Sequence, residues 1–264
     1  MCRIGARLRS CRVRVVAATL VRALVADSGV GQPEPAVNAT TAPSTPQRLL
    51  PWLAVLCGAL TVLAGIGALP AGLAFVFKPL TTLLIIAFAW PRGSDAARQR
   101  RLIRTGLILS LAGDVFLLWP KEGFLPGLIV FLLAHLAYIA AFCVPLRFAA
   151  RPLVFVGYAV LAAAILAWLW PGVPAALRVP VLAYVLFLAT MAAQAASWWR
   201  RSRSLHAGDV KLALSAALGG ALFMASDTLL AINMFGPPLP FAPLWILLTY
   251  WLAQWCIVHA LRSR

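Results

Sequence analysis

Negative charge is almost absent from this chain. Seven Asp and Glu stand against 23 Lys and Arg in 264 residues, and charged residues of both signs make up only 11% of the total. A water-soluble domain carries about a quarter charged residues, so the composition excludes an ordinary soluble enzyme. The alternation of apolar and polar residues that a transmembrane β-barrel needs is also missing. There is no CxxC pair. The five cysteines (Cys2, Cys11, Cys57, Cys143, Cys256) are scattered, and the three in apolar runs read as small buried hydrophobes. The phosphate-binding GxxxxGK[ST], the zinc-binding HExxH and the nucleophile turn GxSxG do not occur.

What the chain does have is apolar length. Hydrophobic residues make up 62% of it, gathered in runs of about twenty, the number a helix needs to cross the hydrocarbon of a bilayer. Backbone groups in lipid must be satisfied within the segment, so each run is expected to be helical. The fold class expected is an all-α membrane protein, a bundle of eight transmembrane helices over 49–69, 71–90, 102–119, 124–146, 152–170, 178–199, 210–233 and 240–261. Pro and Gly mark the turns at Leu69-Pro70-Ala71-Gly72, Trp119-Pro120, Trp170-Pro171-Gly172 and Gly236-Pro237-Pro238.

The net charge of +16 would fit a nucleic-acid binder, but its distribution does not. With eight spans, twenty of the Lys and Arg fall on one side of the membrane, whereas only Lys121 and Arg178 fall on the other. That asymmetry places both termini in the cytoplasm and assigns the basic residues to topology, with no nucleic-acid partner. Residues 1–48 stand apart as a domain-level feature. They hold a basic stretch with Arg3, Arg7, Arg9, Arg12, Arg14 and Arg22, then a Gly/Pro/Ser/Thr-rich linker expected to be disordered. A signal peptide, an interfacial basic helix and a mis-assigned start are all open readings of the basic stretch. Residues 49–264 form the transmembrane domain.

Ionisable groups inside lipid are costly and are usually paired or functional. Candidates are Lys78 (FVFKPLTT), Asp114 (LAGDVFLL), His135 and Tyr138 (FLLAHLAY), Asp227 (MASDTLLA), and Tyr250 with Gln254 (TYWLAQ). Counted from the proposed segment ends, Asp114, Lys78, Asp227 and His135 lie about 8–16 Å below the outer surface, and the candidates can meet in one cavity. Lys78 alone cannot neutralise both aspartates, which favours function over packing for the pair. Gln194 and Gln254 also read as interhelical hydrogen-bond glue. One His beside two Asp is a poor zinc set, and no metal is expected.

These motifs, in order, resemble the YhhN-like lysoplasmalogenase family. The matching pieces are Lys78-Pro79, Gly113-Asp114-Val115-Phe116-Leu117-Leu118, Gly127-Leu128 with Phe131, Ala134-His135 and Tyr138, then Phe223, Ser226-Asp227 with Leu229-Leu230-Ala231, and Tyr250 with Ala253-Gln254. The resemblance covers about residues 50–261. It implies an ether hydrolase that cleaves the vinyl-ether bond of a lysoplasmalogen to a fatty aldehyde and a glycerophospho-alcohol, with the family's intramembrane aspartates at Asp114 and Asp227. It also implies a lysophospholipid-type substrate, with membrane lipid as a further partner, and a multi-pass protein of a bacterial-type inner membrane.

A vinyl ether hydrolyses by protonation of its β-carbon, followed by water capture of the oxocarbenium ion. This requires a protonated acid and a carboxylate that stabilises positive charge. Asp114 and Asp227 are the expected pair, with roles unassigned. His135 is expected to position water or relay a proton. Lys78 is expected to hold one Asp ionised or to meet the phosphate, and Tyr138, Tyr250 and Gln254 to orient the glycerol hydroxyl. This chemistry calls for no organic cofactor. The competing reading is a transporter that uses the same polar residues as a proton or substrate path.

Overall fold

A computed structural model describes residues 45–119, 122–204 and 207–262. The expectations for residues 1–44, and for Lys121 and His206, lie outside the described residues. Among those described there are eight α-helices: α1 (Thr45–Gly65), α2 (Ala74–Ala89), α3 (Ala97–Phe116), α4 (Phe124–Phe142), α5 (Pro152–Leu169), α6 (Arg178–Ser202), α7 (Ala207–Phe235) and α8 (Ala242–His259). No strand occurs among them. The first helix begins at Thr45, so residues 45–48 belong to it.

Six of these elements are long and apolar enough to cross a membrane: 47–65, 71–89, 124–142, 152–172, 175–202 and 208–235. The other two, α3 and α8, are diluted by polar residues. Arg98, Arg100, Arg101 and Arg104 fill the first turns of α3, and α8 carries Thr249, Tyr250, Gln254 and His259. The third helix also starts five residues before the apolar run at 102, because arginine is a good helix former although it is a poor lipid neighbour. Conversely, α1 stops at Gly65, where Gly67 takes a left-handed φ of 82° and turns the chain towards Pro70.

The outside of the bundle is what lipid requires. Trp52, Val76, Leu153, Trp168 and Val179 are each more than half exposed. Most helices adjacent in sequence pack side by side, whereas α4 packs on α3 and α6, and α8 closes the bundle against α1, α2, α3 and α7. The helix α5 is the least engaged. Only Ala162 and Leu169 are buried along it, and it leans mainly on α6.

The α3–α4 pair is keyed by glycines. A Cβ on Gly113 would lie 2.5 Å from the Phe131 ring, and one on Gly106 would overlap the Tyr138 ring. Further along, Leu117 rests against Gly127 at a Cβ distance of 3.1 Å. In each case a bulky side chain of one helix fills the space left by a glycine of the other, in antiparallel order.

At the arginine-rich end, Arg262 pairs with Asp95 at 3.6 Å and with Asp209, and the Gly93 N–H donates to the Arg262 carbonyl at 2.9 Å. Gln194 is the interhelical glue expected of it. Its amide donates to the Leu146 carbonyl at 2.9 Å and accepts from the Ala149 N–H at 3.2 Å, where Ala149 takes a left-handed φ of 52°. These contacts hold the α4–α5 connection onto α6.

Candidate active site

The site is built at the opposite end, where α2, α4, α6 and α8 begin. Lys78 and Thr82 stand one turn apart on the same face of α2, and Asp114 lies near the end of α3. Asp114 is 1% exposed and has a complete set of partners. The Thr82 hydroxyl donates to its Oδ2 at 2.7 Å, and the Tyr250 hydroxyl from α8 donates to the same oxygen at 2.8 Å. Lys78 Nζ stands 3.7 Å from Oδ1. A buried carboxylate needs compensation of this kind, because several kcal/mol of lost hydration must be recovered locally.

Asp227 on α7 is held differently. The Tyr184 hydroxyl on α6 donates to its Oδ2 at 2.5 Å. His135 Nε2 on α4 lies 3.0 Å from that hydroxyl and 3.6 Å from the same carboxylate oxygen. The Asp227 side chain is 13% exposed, against 2% for Asp114. Among the described residues no hydrogen bond or ion pair joins the two carboxylates directly.

A third group sits behind them. The Tyr138 hydroxyl donates to Gln254 Oε1 at 2.7 Å, with Ser110 Oγ at 3.5 Å. Phe223, fully buried, stacks edge-on against both His135 (4.8 Å between centroids) and Tyr250 (5.5 Å), and so spaces the Asp114 and Asp227 clusters.

Both aspartates open onto one cavity of about 190 Å³. Its polar wall holds Lys78, Asp114, Tyr184, Ser226, Asp227, Thr228 and Tyr250. The remainder is aliphatic and aromatic, drawn largely from α5, α6 and α7, with Ile165, Leu166, Val185, Leu188 and Ala231 among its residues. Such a cavity suits a ligand with a small polar end and a long apolar part. Ser226 also ties α7 to α8 by donating to the Ile246 carbonyl at 2.9 Å.

Of the seven residues singled out in the sequence, Lys78, Asp114, Asp227 and Tyr250 face the cavity. His135, Tyr138 and Gln254 are fully buried and lie outside its lining, so their contacts are with other side chains. Two members of the site were not anticipated, Thr82 and Tyr184. Spacing could have found the first, at i+4 from Lys78. For the second, the signal was that three of the four tyrosines already fell in apolar segments that carry ionisable groups or Gln194. Among the described residues no three His, Cys, Asp or Glu side chains converge as a metal site would require.

No solved structure matches the chain. Curated proteins do. Lysoplasmalogenase TMEM86B of Homo sapiens is 35% identical over 192 residues, which is 72% of this chain and 76% of that protein. The Sus scrofa TMEM86B is 35% identical over 186 residues, 70% of this chain and 74% of its own length. A lysoplasmalogenase of Mycobacterium bovis is 32% identical over 169 residues, covering 61% of this chain and 59% of that protein. The YhhN family model matches residues 73–261, which takes in α2 to α8 and every residue of the two aspartate clusters, and the chain therefore belongs to the YhhN family.

Proposed function

We propose that this protein is a membrane-embedded lysoplasmalogenase. It cleaves the vinyl-ether bond of a lysoplasmalogen, or of a closely related single-chain lipid ether, to a fatty aldehyde and a glycerophospho-alcohol. The observation that carries this reading is the pairing of two carboxylates with one largely aliphatic cavity. The chemistry needs one acid and one anion at the reacting double bond, and the substrate needs room for a single alkyl chain. The names borne by the curated relatives point the same way.

In this reading the alkyl chain lies along the α5–α7 wall and the glycerophospho end lies towards Lys78. Asp114 and Asp227 flank the vinyl ether. Tyr250 fixes Asp114 and borders the substrate. His135, Tyr138 and Gln254 act from behind the wall by holding Asp227 and the α3–α4–α8 contact in place. All eight helices cross the membrane with both termini in the cytoplasm, and the cavity lies in the outer half of an inner membrane of bacterial type. The arginine-rich end, with Arg98, Arg100, Arg101 and Arg262, then faces the anionic cytoplasmic leaflet. The polar groups gather at one end of the bundle instead of lining a continuous path, which supports an enzyme pocket over a transport route.

The test is aldehyde release from an alkenyl lysophospholipid by purified protein, with Asp114→Asn and Asp227→Asn beside it and an alkyl-ether analogue as control. Aldehyde from the wild type alone is the expected result. No aldehyde from a folded wild type would overturn the reading.

A further inference from the structure

The two carboxylates differ in whether an oxygen is left open, and this bears on their roles. Asp114 has partners on both oxygens, Lys78 on Oδ1 and two hydroxyls on Oδ2. That set fits an anion, because donors face both oxygens and leave neither free to carry a proton. At Asp227 the contacts converge on Oδ2, and the residue lines the cavity.

Tyr184 is the link. A phenol has one hydrogen, and here it points to Asp227 Oδ2. The contact at 3.0 Å between Tyr184 and His135 Nε2 must then be supplied with a hydrogen by the imidazole. His135 Nδ1 is buried with no partner. A neutral ring with its hydrogen on Nε2 satisfies both facts, since a bare N–H in this apolar surround of Phe223 and neighbours costs more than a bare lone pair. The result is a one-way chain of donors running from His135 through Tyr184 to Asp227. Each donor in it polarises the next. The other titratable groups that face this cluster are Tyr250, which acts on Tyr184 electrostatically, and Asp114 and Lys78 on the shared cavity wall.

We propose that Tyr184, backed by His135, is the positioning residue that makes Asp227 the acid of the reaction, and that Asp114 is the standing anion. The proposal rests on the lysoplasmalogenase reading. Asp227 gives the proton on Oδ1 to the β-carbon of the vinyl ether, whose π pair forms the new C–H bond. The ether oxygen lone pair stabilises the cation beside it, and Asp114 stabilises it through space. The carboxylate left on Asp227 is held by the Tyr184 hydroxyl on Oδ2. Water then adds to the cation and returns one proton to Asp227. The hemiacetal collapses as its hydroxyl proton passes to the departing alkoxide. One water is consumed, and the acid ends as it began.

The experiment is a pH–kcat and KM comparison of wild type, Tyr184→Phe, His135→Leu and His135→Gln on an alkenyl lysophospholipid. Binding of the uncleavable alkyl-ether analogue is measured in parallel. Loss of one donor to a forming carboxylate corresponds to about a 10- to 100-fold drop in kcat. Tyr184→Phe is expected to show that drop with KM and analogue binding unchanged. The basic limb of its profile should move to higher pH, because a carboxyl that loses a donor to its ionised form holds its proton longer. His135→Leu should shift the same limb by less, and His135→Gln, which restores an N–H near the Nε2 position, should recover most of the rate. Unchanged kcat and profile in folded Tyr184→Phe would overturn the proposal while leaving the hydrolase reading intact. If Tyr184→Phe does not fold, the two His135 variants decide: equal activity in Leu and Gln overturns it. Absence of aldehyde from the wild type instead removes the reading on which the proposal stands.

Discussion

Asp114 and Asp227 open on the same cavity and have little else in common. Asp114 is enclosed, matched by a cation and two hydroxyls drawn from α2 and α8. Asp227 is partly open and is held by a single hydroxyl from α6 with an imidazole behind it. The difference teaches that the same residue, in GDVFLL and in SDTLLA, is given different surroundings by what the neighbouring helices bring to it. In the proposed reading the enclosed carboxylate is the standing anion and the one with a free oxygen in the cavity is the acid.

The sharpest way to break this comparison is to neutralise each aspartate in turn and read activity and stability together. Both Asp→Asn variants are expected to lower aldehyde release by at least about 10²–10⁴-fold, the usual worth of an acid or of a charge stabiliser. They should separate in thermal unfolding in detergent. Asp114→Asn strands Lys78 and costs roughly 3 kcal/mol, the lower end of what breaking a buried pair costs, because Lys78 is 12% exposed. Asp227→Asn strands no charge and should unfold within about 1 kcal/mol of wild type. Equal loss of stability in the two variants would contradict the distinction.

A double substitution sharpens it. Lys78→Met alone leaves Asp114 buried without its cation and is expected to cost about 3–5 kcal/mol. Lys78→Met with Asp114→Asn should recover all but about 1 kcal/mol of that, while activity stays lost. Additive losses in the double variant would show that the 3.7 Å pair carries no coupling.

Gly113→Ala tests the frame beneath Asp114. A methyl group 2.5 Å from the Phe131 ring must force the helices apart, at about 1–3 kcal/mol. Gly127→Ala, facing Leu117 at 3.1 Å, should cost less because an aliphatic side chain can give way. Differential scanning of the two in the same detergent ranks them.

The smallest effect belongs to Thr82→Val, which removes one of the two hydroxyls on Asp114 Oδ2. About 1–3 kcal/mol is at stake for a hydrogen bond to a charged group. Tyr250 still serves that oxygen, so the lower figure is expected, with KM for the alkenyl substrate nearly unchanged.

The residues readable from the sequence were those whose presence in an apolar run is expensive. Lys78, Asp114 and Asp227 stand out because charge in lipid demands a reason. Tyr184 did not stand out, because a phenol in a hydrophobic segment costs little and looks like packing. Thr82 was hidden for a related cause. Threonine in a helix ordinarily returns its hydroxyl to the carbonyl four residues back, as Thr81, Thr228 and Thr249 all do here. Only its place one turn after Lys78 distinguishes Thr82, whose hydroxyl instead reaches across to α3. Helix number was legible from the apolar runs, whereas helix ends were less so. Hydropathy marks apolar residues, and the helix α3 continues through arginines. Sequence gives the depth of a residue along a helix but not its azimuth around it.

The glycine keys of α3 and α4 have a mechanical consequence. Gly106 and Gly113 are two helical turns apart, as are the rings of Tyr138 and Phe131 that fill them. Sliding one helix past the other by a single turn would drive Ser110 and Leu117 into those rings. The pair therefore behaves as a ratchet with its pawl engaged, with one seat and no neighbouring notch to slip into. With both helices in the bilayer, as proposed, such a pair meets a thicker or thinner membrane by tilting as one body and not by shear between its helices. The height of Asp114 relative to His135 is thus set by the protein and not by the lipid around it.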